Sequence, residues 1–150
     1  MTKLIRAHGG DGFVSKAITF NGSAGLGQAA TAVPIFTVVG EVLIVYLTAF
    51  CTADLSESGG TAQISLGVVG NVTLFVGAGQ PIDINTNEYW TTANPSAAGG
   101  IAVPATMKDI LLIDGAAIIA DPTVANTTGG TIEFAAYWRR ISSDGLIVAA

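Results

Sequence analysis

Charge is scarce in this chain: 11% of its 150 residues are Asp, Glu, Lys or Arg, against roughly 25% in an ordinary soluble domain. The six basic residues are spread from Lys3 to Arg140, and the formal net charge is −5. That balance argues against nucleic acid as a partner, because binding it relies on clustered Lys and Arg to neutralise phosphates. Arg139 and Arg140 are adjacent, and the pair reads as a solvated strand end.

Histidine and cysteine are almost missing, with one of each. A single cysteine, Cys51, cannot form an internal disulfide, and its apolar neighbours mark it as a small core residue. Cys51 and His8 together cannot supply the four ligands of a zinc site. His8 is the sole candidate base for a nucleophile, and the Gly-rich segment around it is a poor place to hold catalytic geometry. The run GSAGLGQ at residues 22–28 lacks the Gly-Lys-Ser/Thr ending of a phosphate-binding loop and reads as a flexible linker. Three acidic pairs (Asp54 with Glu57, Asp83 with Glu88, Asp114 with Asp121) fall at expected turns, where acids are common. No spaced calcium-ligand loop is visible. The expectation is a protein that is not an enzyme and that carries no metal or cofactor.

No secretory signal is expected, because MTKLIRAHGGDGF turns to Gly and Asp before any apolar run develops. Synthesis in the cytoplasm is expected. The longest apolar stretch, VPIFTVVGEVLIVYLTAFC at residues 33–51, is broken by Pro34, Gly40 and Glu41, whereas a spanning helix needs about 20 apolar residues. No membrane partner is expected.

What the chain does have is strand chemistry. Nine of those nineteen residues are β-branched and three are aromatic, a composition that packs on a pleated sheet. Gly40-Glu41 marks a turn or bulge between two strands. The second, Val42 to Cys51, is apolar enough to be covered on both faces, so Val45→Asp is expected to be severely destabilising.

Downstream, TAQISLGVV alternates with period two, Gly70-Asn71 signals a hairpin, and VTLFVGA returns. TTANPSAAGG is a loop. Lys108 to Ile113 and Ala116 to Ala120 read as strands around an Asp114-Gly115 turn, with Asp121-Pro122 ending the second and NTTGG making the next turn. TIEFAAYWRRI places Ile132, Phe134, Ala136 and Trp138 on one face.

Half of the residues are hydrophobic and 19 are Gly, so the surface must be built from small, weakly polar groups that favour association. The pattern predicts an all-β protein: an antiparallel β-sandwich or jelly-roll-like barrel with an extended N-terminal arm. Residues 1–30 are expected to form a flexible arm and residues 31–150 a single β-sandwich domain. Tyr89, Trp90, Trp138, Arg139 and Arg140 are the candidate partner-binding residues. Tyr89 and Trp90, beside Glu88, could be core or interface anchors or a platform for a sugar.

The order PIFTVVGEVLIVYLTAFCTADL, TAQISLGVVGNVTLFV, IDINTNEYW and DGAAIIADPTVANTTGGTIEFAAYWRRISSDG resembles small virion structural proteins of tailed bacteriophages. In that family a phe-thr-val-x-gly entry precedes a long apolar strand. An ile/val-gly-val-x-gly-asn hairpin, an asp-x-asn-glu-x-trp segment and a gly-x-ile-x-phe-x-x-x-trp-arg strand follow it. Here they correspond to Phe36 to Gly40, Leu66 to Asn71, Asn87 to Trp90 and Gly130 to Arg139, over roughly residues 30–145. The resemblance implies a capsid decoration (cement) protein on the virion surface that binds the phage major capsid protein lattice and stabilises the head, with a homotrimer favoured. A tail or head-fibre component, or a carbohydrate-binding β-sandwich for host attachment, are the alternatives.

Overall fold

A computed structural model describes residues 11–150 and resolves them into nine β-strands. These are β1 (Asp11–Thr19), β2 (Val33–Val39), β3 (Val42–Glu57), β4 (Gln63–Val68), β5 (Asn71–Gly79), β6 (Lys108–Leu112), β7 (Ala117–Thr123), β8 (Thr127–Arg140) and β9 (Leu146–Ala149). Every pairing is antiparallel, and the pairs are nested: β1 with β8, β2 with β7, β3 with β6, β4 with β5. The chain is thus one long hairpin that reverses at Val69-Gly70 and rolls into two sheets. Their strand orders are β1-β8-β3-β6 and β5-β4-β7-β2-β9. Eight strands rolled in this way make a jelly roll, and β9 extends the second sheet beside β2. The expected all-β antiparallel sandwich is what the chain forms.

Side-chain alternation explains the core between the sheets. On β8, Ile132, Phe134, Ala136 and Trp138 point inward and are buried, the face that period two assigns them. On β3, Val42, Ile44, Leu47, Ala49 and Cys51 are buried. The step from Ile44 to Leu47 breaks the alternation because the register shifts between Ile44 and Tyr46, and the extra residue of this β-bulge is Val45. Val45 is therefore only half-buried, contrary to its expected place in the core. Leu43, Tyr46, Thr48 and Phe50 face the other way, so a single chain covers one face of this strand and leaves the second partly open.

Two of the expected turns prove to be corners between the sheets. Gly40-Glu41 does separate two strands, but β2 and β3 belong to different sheets. The Asp114-Gly115 turn likewise carries the chain from β6 across to β7. The two corners hold each other: Gly40 N–H donates to Asp114 Oδ1 at 2.9 Å, Gly115 N–H to the Val38 carbonyl at 3.0 Å, and Val38 N–H to the Ala116 carbonyl at 2.9 Å. Gly40 has φ +62°, a backbone state that glycine enters without penalty. Asp121-Pro122 does not end β7, which runs to Thr123, and Thr127 to Gly130 lie inside β8. The turn falls instead at residues 124–126, because Pro122 sits in a strand whose register with Ile64 continues past it.

The boundary expected at residue 30 is also corrected for its described part. Strand β1 pairs along its full length with β8, from Asp11↔Arg139 to Thr19↔Thr131, and Ile18 and Phe20 are buried in the core. GSAGLGQ is a docked loop: Thr127 N–H donates to the Gly27 carbonyl at 2.8 Å, Ala29 N–H to Asn126 Oδ1 at 2.9 Å, and Ala30 N–H to the Pro122 carbonyl at 2.8 Å. A Cβ on Gly27 would lie 2.1 Å from the Thr127 carbonyl oxygen, so glycine there serves close packing. Residues 1–10 of the expected arm lie outside the described residues.

Substituting Leu47 by Ala is expected to cost about 2–5 kcal/mol of stability. Val45→Ala, at the bulge, is expected to cost about 1 kcal/mol. Urea unfolding midpoints of the two variants test the difference; equal losses would show that Val45 is a core residue.

Candidate functional site

Between β5 and β6 the chain leaves the sandwich for almost thirty residues and returns through two short 3₁₀ turns, Pro81–Asp83 and Ala105–Met107. The first part, residues 84–90, runs along the edge of β3 beyond the end of β6. Leu55 N–H donates to the Ile84 carbonyl at 3.0 Å, Asn87 N–H to Cys51 at 2.9 Å, Cys51 N–H to Glu88 at 2.8 Å and Trp90 N–H to Ala49 at 2.8 Å. An exposed strand edge is thereby covered by the chain itself.

Acidic side chains anchor this segment. Thr86 donates to Asp54 Oδ1 through both its backbone N–H and its hydroxyl, each at 2.6 Å, and these hydrogen bonds hold the Asp54 carboxyl below its ordinary value. Glu88 Oε2 accepts from Asn85 N–H at 2.7 Å. These carboxylates shape turns. Burial pushes the Cys51 thiol up from its ordinary value, which keeps it in the unreactive protonated form.

Strand-like alternation at residues 89–90 separates the two aromatics. Trp90 is 1% exposed and meets Phe134 edge-on at 6.4 Å between centroids; it is a core residue, unable to serve as a platform. Tyr89 is 39% exposed, leans on Phe50 at 4.9 Å, and is held by paired hydrogen bonds with Ser96. Beside it opens a cavity of about 250 Å³, lined by Thr48, Tyr89, Thr91 and the stretch 98–103.

The remaining candidates do not join this site. Trp138 is buried over Gly12, where a Cβ would lie 2.2 Å from the indole ring. Arg139 reaches outward to Asp11 at 3.3 Å, and Arg140 Nε donates to the Gly145 carbonyl at 3.2 Å. Adjacent in sequence, the two arginines have separate partners. His8 lies outside the described residues. Among the described residues no group of three or more His, Cys, Asp or Glu is placed to hold a metal, and no helix is long and apolar enough to cross a membrane.

Two apolar surfaces went unnoticed in the sequence. On the outer face of the four-stranded sheet, Phe13, Tyr137 and Tyr46 form a cross-strand row, with the tyrosines stacked at 5.5 Å. At one end of the sandwich, Val69, Leu111 and Ile113, exposed by 68%, 69% and 71%, border a groove of about 520 Å³ between the β4–β5 turn and the β6–β7 corner. Thr48, Thr91 and residues 98–103 were likewise missed. TTANPSAAGG reads as a loop from its composition, and nothing in composition says which loop residues enclose a cavity. No family model, curated protein or solved structure matches the chain.

Removing the Trp90 side chain (Trp90→Ala) is expected to cost about 3–5 kcal/mol, against no more than about 1 kcal/mol for Tyr89→Ala, as read from denaturation midpoints. The Asp54 carboxyl has a depressed value in the folded state, so its contribution is present above 3.8, the ordinary value, and is lost as pH falls through the folded one. An NMR titration of Asp54 should show a midpoint below 3.8 that moves up in Thr86→Val; an unmoved midpoint would mean that Thr86 is not the cause.

Proposed function

We propose that this chain is a structural subunit of a bacteriophage virion, a capsid decoration protein that binds the major capsid protein lattice and stabilises the head as a homo-oligomer, a trimer being favoured. The observation that carries the reading is the exposure of large apolar side chains on a sandwich with little surface charge. Phe13, Val69, Leu111, Ile113, Val124 and Ile141 are each between 58% and 72% exposed. Single exposed apolar residues are ordinary, whereas clusters such as Val69, Leu111 and Ile113 around a groove mark contact surfaces.

Two further features support this reading. We take the motif order over roughly residues 30–145 as a resemblance to the phage virion family. Jelly rolls recur in viral capsid domains, a likeness of fold that raises the expectation without establishing the role. A decoration protein also works through many copies of a modest contact, since repeated engagement on a lattice multiplies weak affinities.

The test is binding of the purified full chain to heads assembled from its phage's capsid protein, followed by co-sedimentation and by the temperature at which the heads open. Saturable binding and a raised opening temperature are expected, with an oligomer by sedimentation equilibrium. Leu111→Glu combined with Ile113→Glu should weaken self-association or head binding while leaving the unfolding midpoint within about 1 kcal/mol of the parent, as for exposed positions. A monomer that leaves the heads unbound would overturn the proposal.

A further inference from the structure

We propose that the cavity beside Tyr89 is a binding site for one pyranose ring of a glycan. The site is independent of the assembly role proposed above, because all of its groups come from a single chain. The cavity of about 250 Å³ is a little smaller than the roughly 300–1,000 Å³ of sites for drug-sized ligands, which suits one sugar ring. No charged side chain lines it, so a phosphate or carboxylate would lose its hydration without gaining a counter-charge.

The lining matches the two faces of a sugar. Tyr89 is held on its backbone by Ser96 and on its ring by Phe50, so its exposed part is fixed before any ligand arrives. An aromatic ring carries negative charge on its face, which attracts the weakly positive C–H groups of a pyranose. Hydroxyl partners come from Thr48 and Thr91. Thr91 is only 7% exposed, yet it borders the cavity. A nearly buried hydroxyl of this kind has a donor and acceptors to offer a ligand. Gly99 and Gly100 also line the cavity, both exposed and with nothing within 4 Å of where a Cβ would stand, so no side chain of theirs obstructs a sugar there. Pre-organised groups of this type lower the ordering cost of binding.

The test is titration of the isotope-labelled full chain with the methyl glycosides of glucose, galactose, mannose and N-acetylglucosamine, with glycerol as a control, monitored by amide NMR shifts. At least one glycoside should give saturable shifts confined to Thr48 and residues 89–91 and 98–103, with none from glycerol. Tyr89→Ala should weaken that binding about tenfold. Thr91→Val should weaken it several-fold while changing stability by no more than about 1 kcal/mol. Absence of shifts with all four sugars, shifts shared with glycerol, or equal binding by both variants would overturn the proposal. None of these outcomes bears on head binding, which is read separately.

Discussion

Everything in this molecule is organised by the pairing of β3 with β8. The two longest strands run antiparallel through the middle of the four-stranded sheet, from Val42↔Arg140 to Glu57↔Thr127. Their inward residues, Ile44, Leu47, Ala49, Ile132, Phe134 and Ala136, form the floor of the core. On one side β8 receives β1; on the other, β3 receives first β6 and then the segment 84–90. The cost is a pairing between residues far apart in the chain, but loop closure grows slowly, by about 0.6 kcal/mol per doubling of length. Nested pairs shorten the effective loop at each step, since the β4–β5 hairpin is local and each further pair closes around the last.

The same pairing explains why the outer surface is unusual. A strand that alternates must present its second face somewhere, and β3 is apolar on both. One side builds the core. The other carries Leu43, Tyr46, Thr48 and Phe50, and the excursion between β5 and β6 covers only the Phe50 end, where Tyr89 leans on it. The cavity arises at the rim of that partial cover. The uncovered end, with Tyr46, Tyr137 and Phe13, and the separate groove near Leu111 and Ile113, remain open in the single chain. A low-charge surface makes those openings consequential, because few solvated groups separate one apolar patch from the next.

Much of the fold was legible from residue order. Alternation placed the inward face of β8 at Ile132, Phe134, Ala136 and Trp138, and the Gly70 region marked the hairpin. The break at Gly40-Glu41 separated two strands. Other features left no local trace. A corner between sheets and a hairpin within one sheet both require a turn, so Gly40-Glu41 and Asp114-Gly115 look alike in sequence whichever they make. Gly-rich residues 22–28 have the composition of a linker, and their docking depends on carbonyls and amides supplied by residues 122–127. The bulge at Val45 depends on the register of β8, a strand some ninety positions later.

At the site the division is sharper. Sequence alone determined that Tyr89 and Trp90 were notable, that chemistry based on His and Cys had few residues to work with, and that strands would dominate. Those conclusions follow from residue type and short-range period, which are properties of the chain itself. Only the tertiary structure decided that Trp90 faces inward while Tyr89 faces out, that Trp138 lies over Gly12, and that Thr48 and Thr91 meet at one cavity. The physical reason is that inside and outside are defined by the second sheet and by neighbouring strands. A side chain's partners come from residues brought together across the fold, and period two fixes only that consecutive residues take opposite sides.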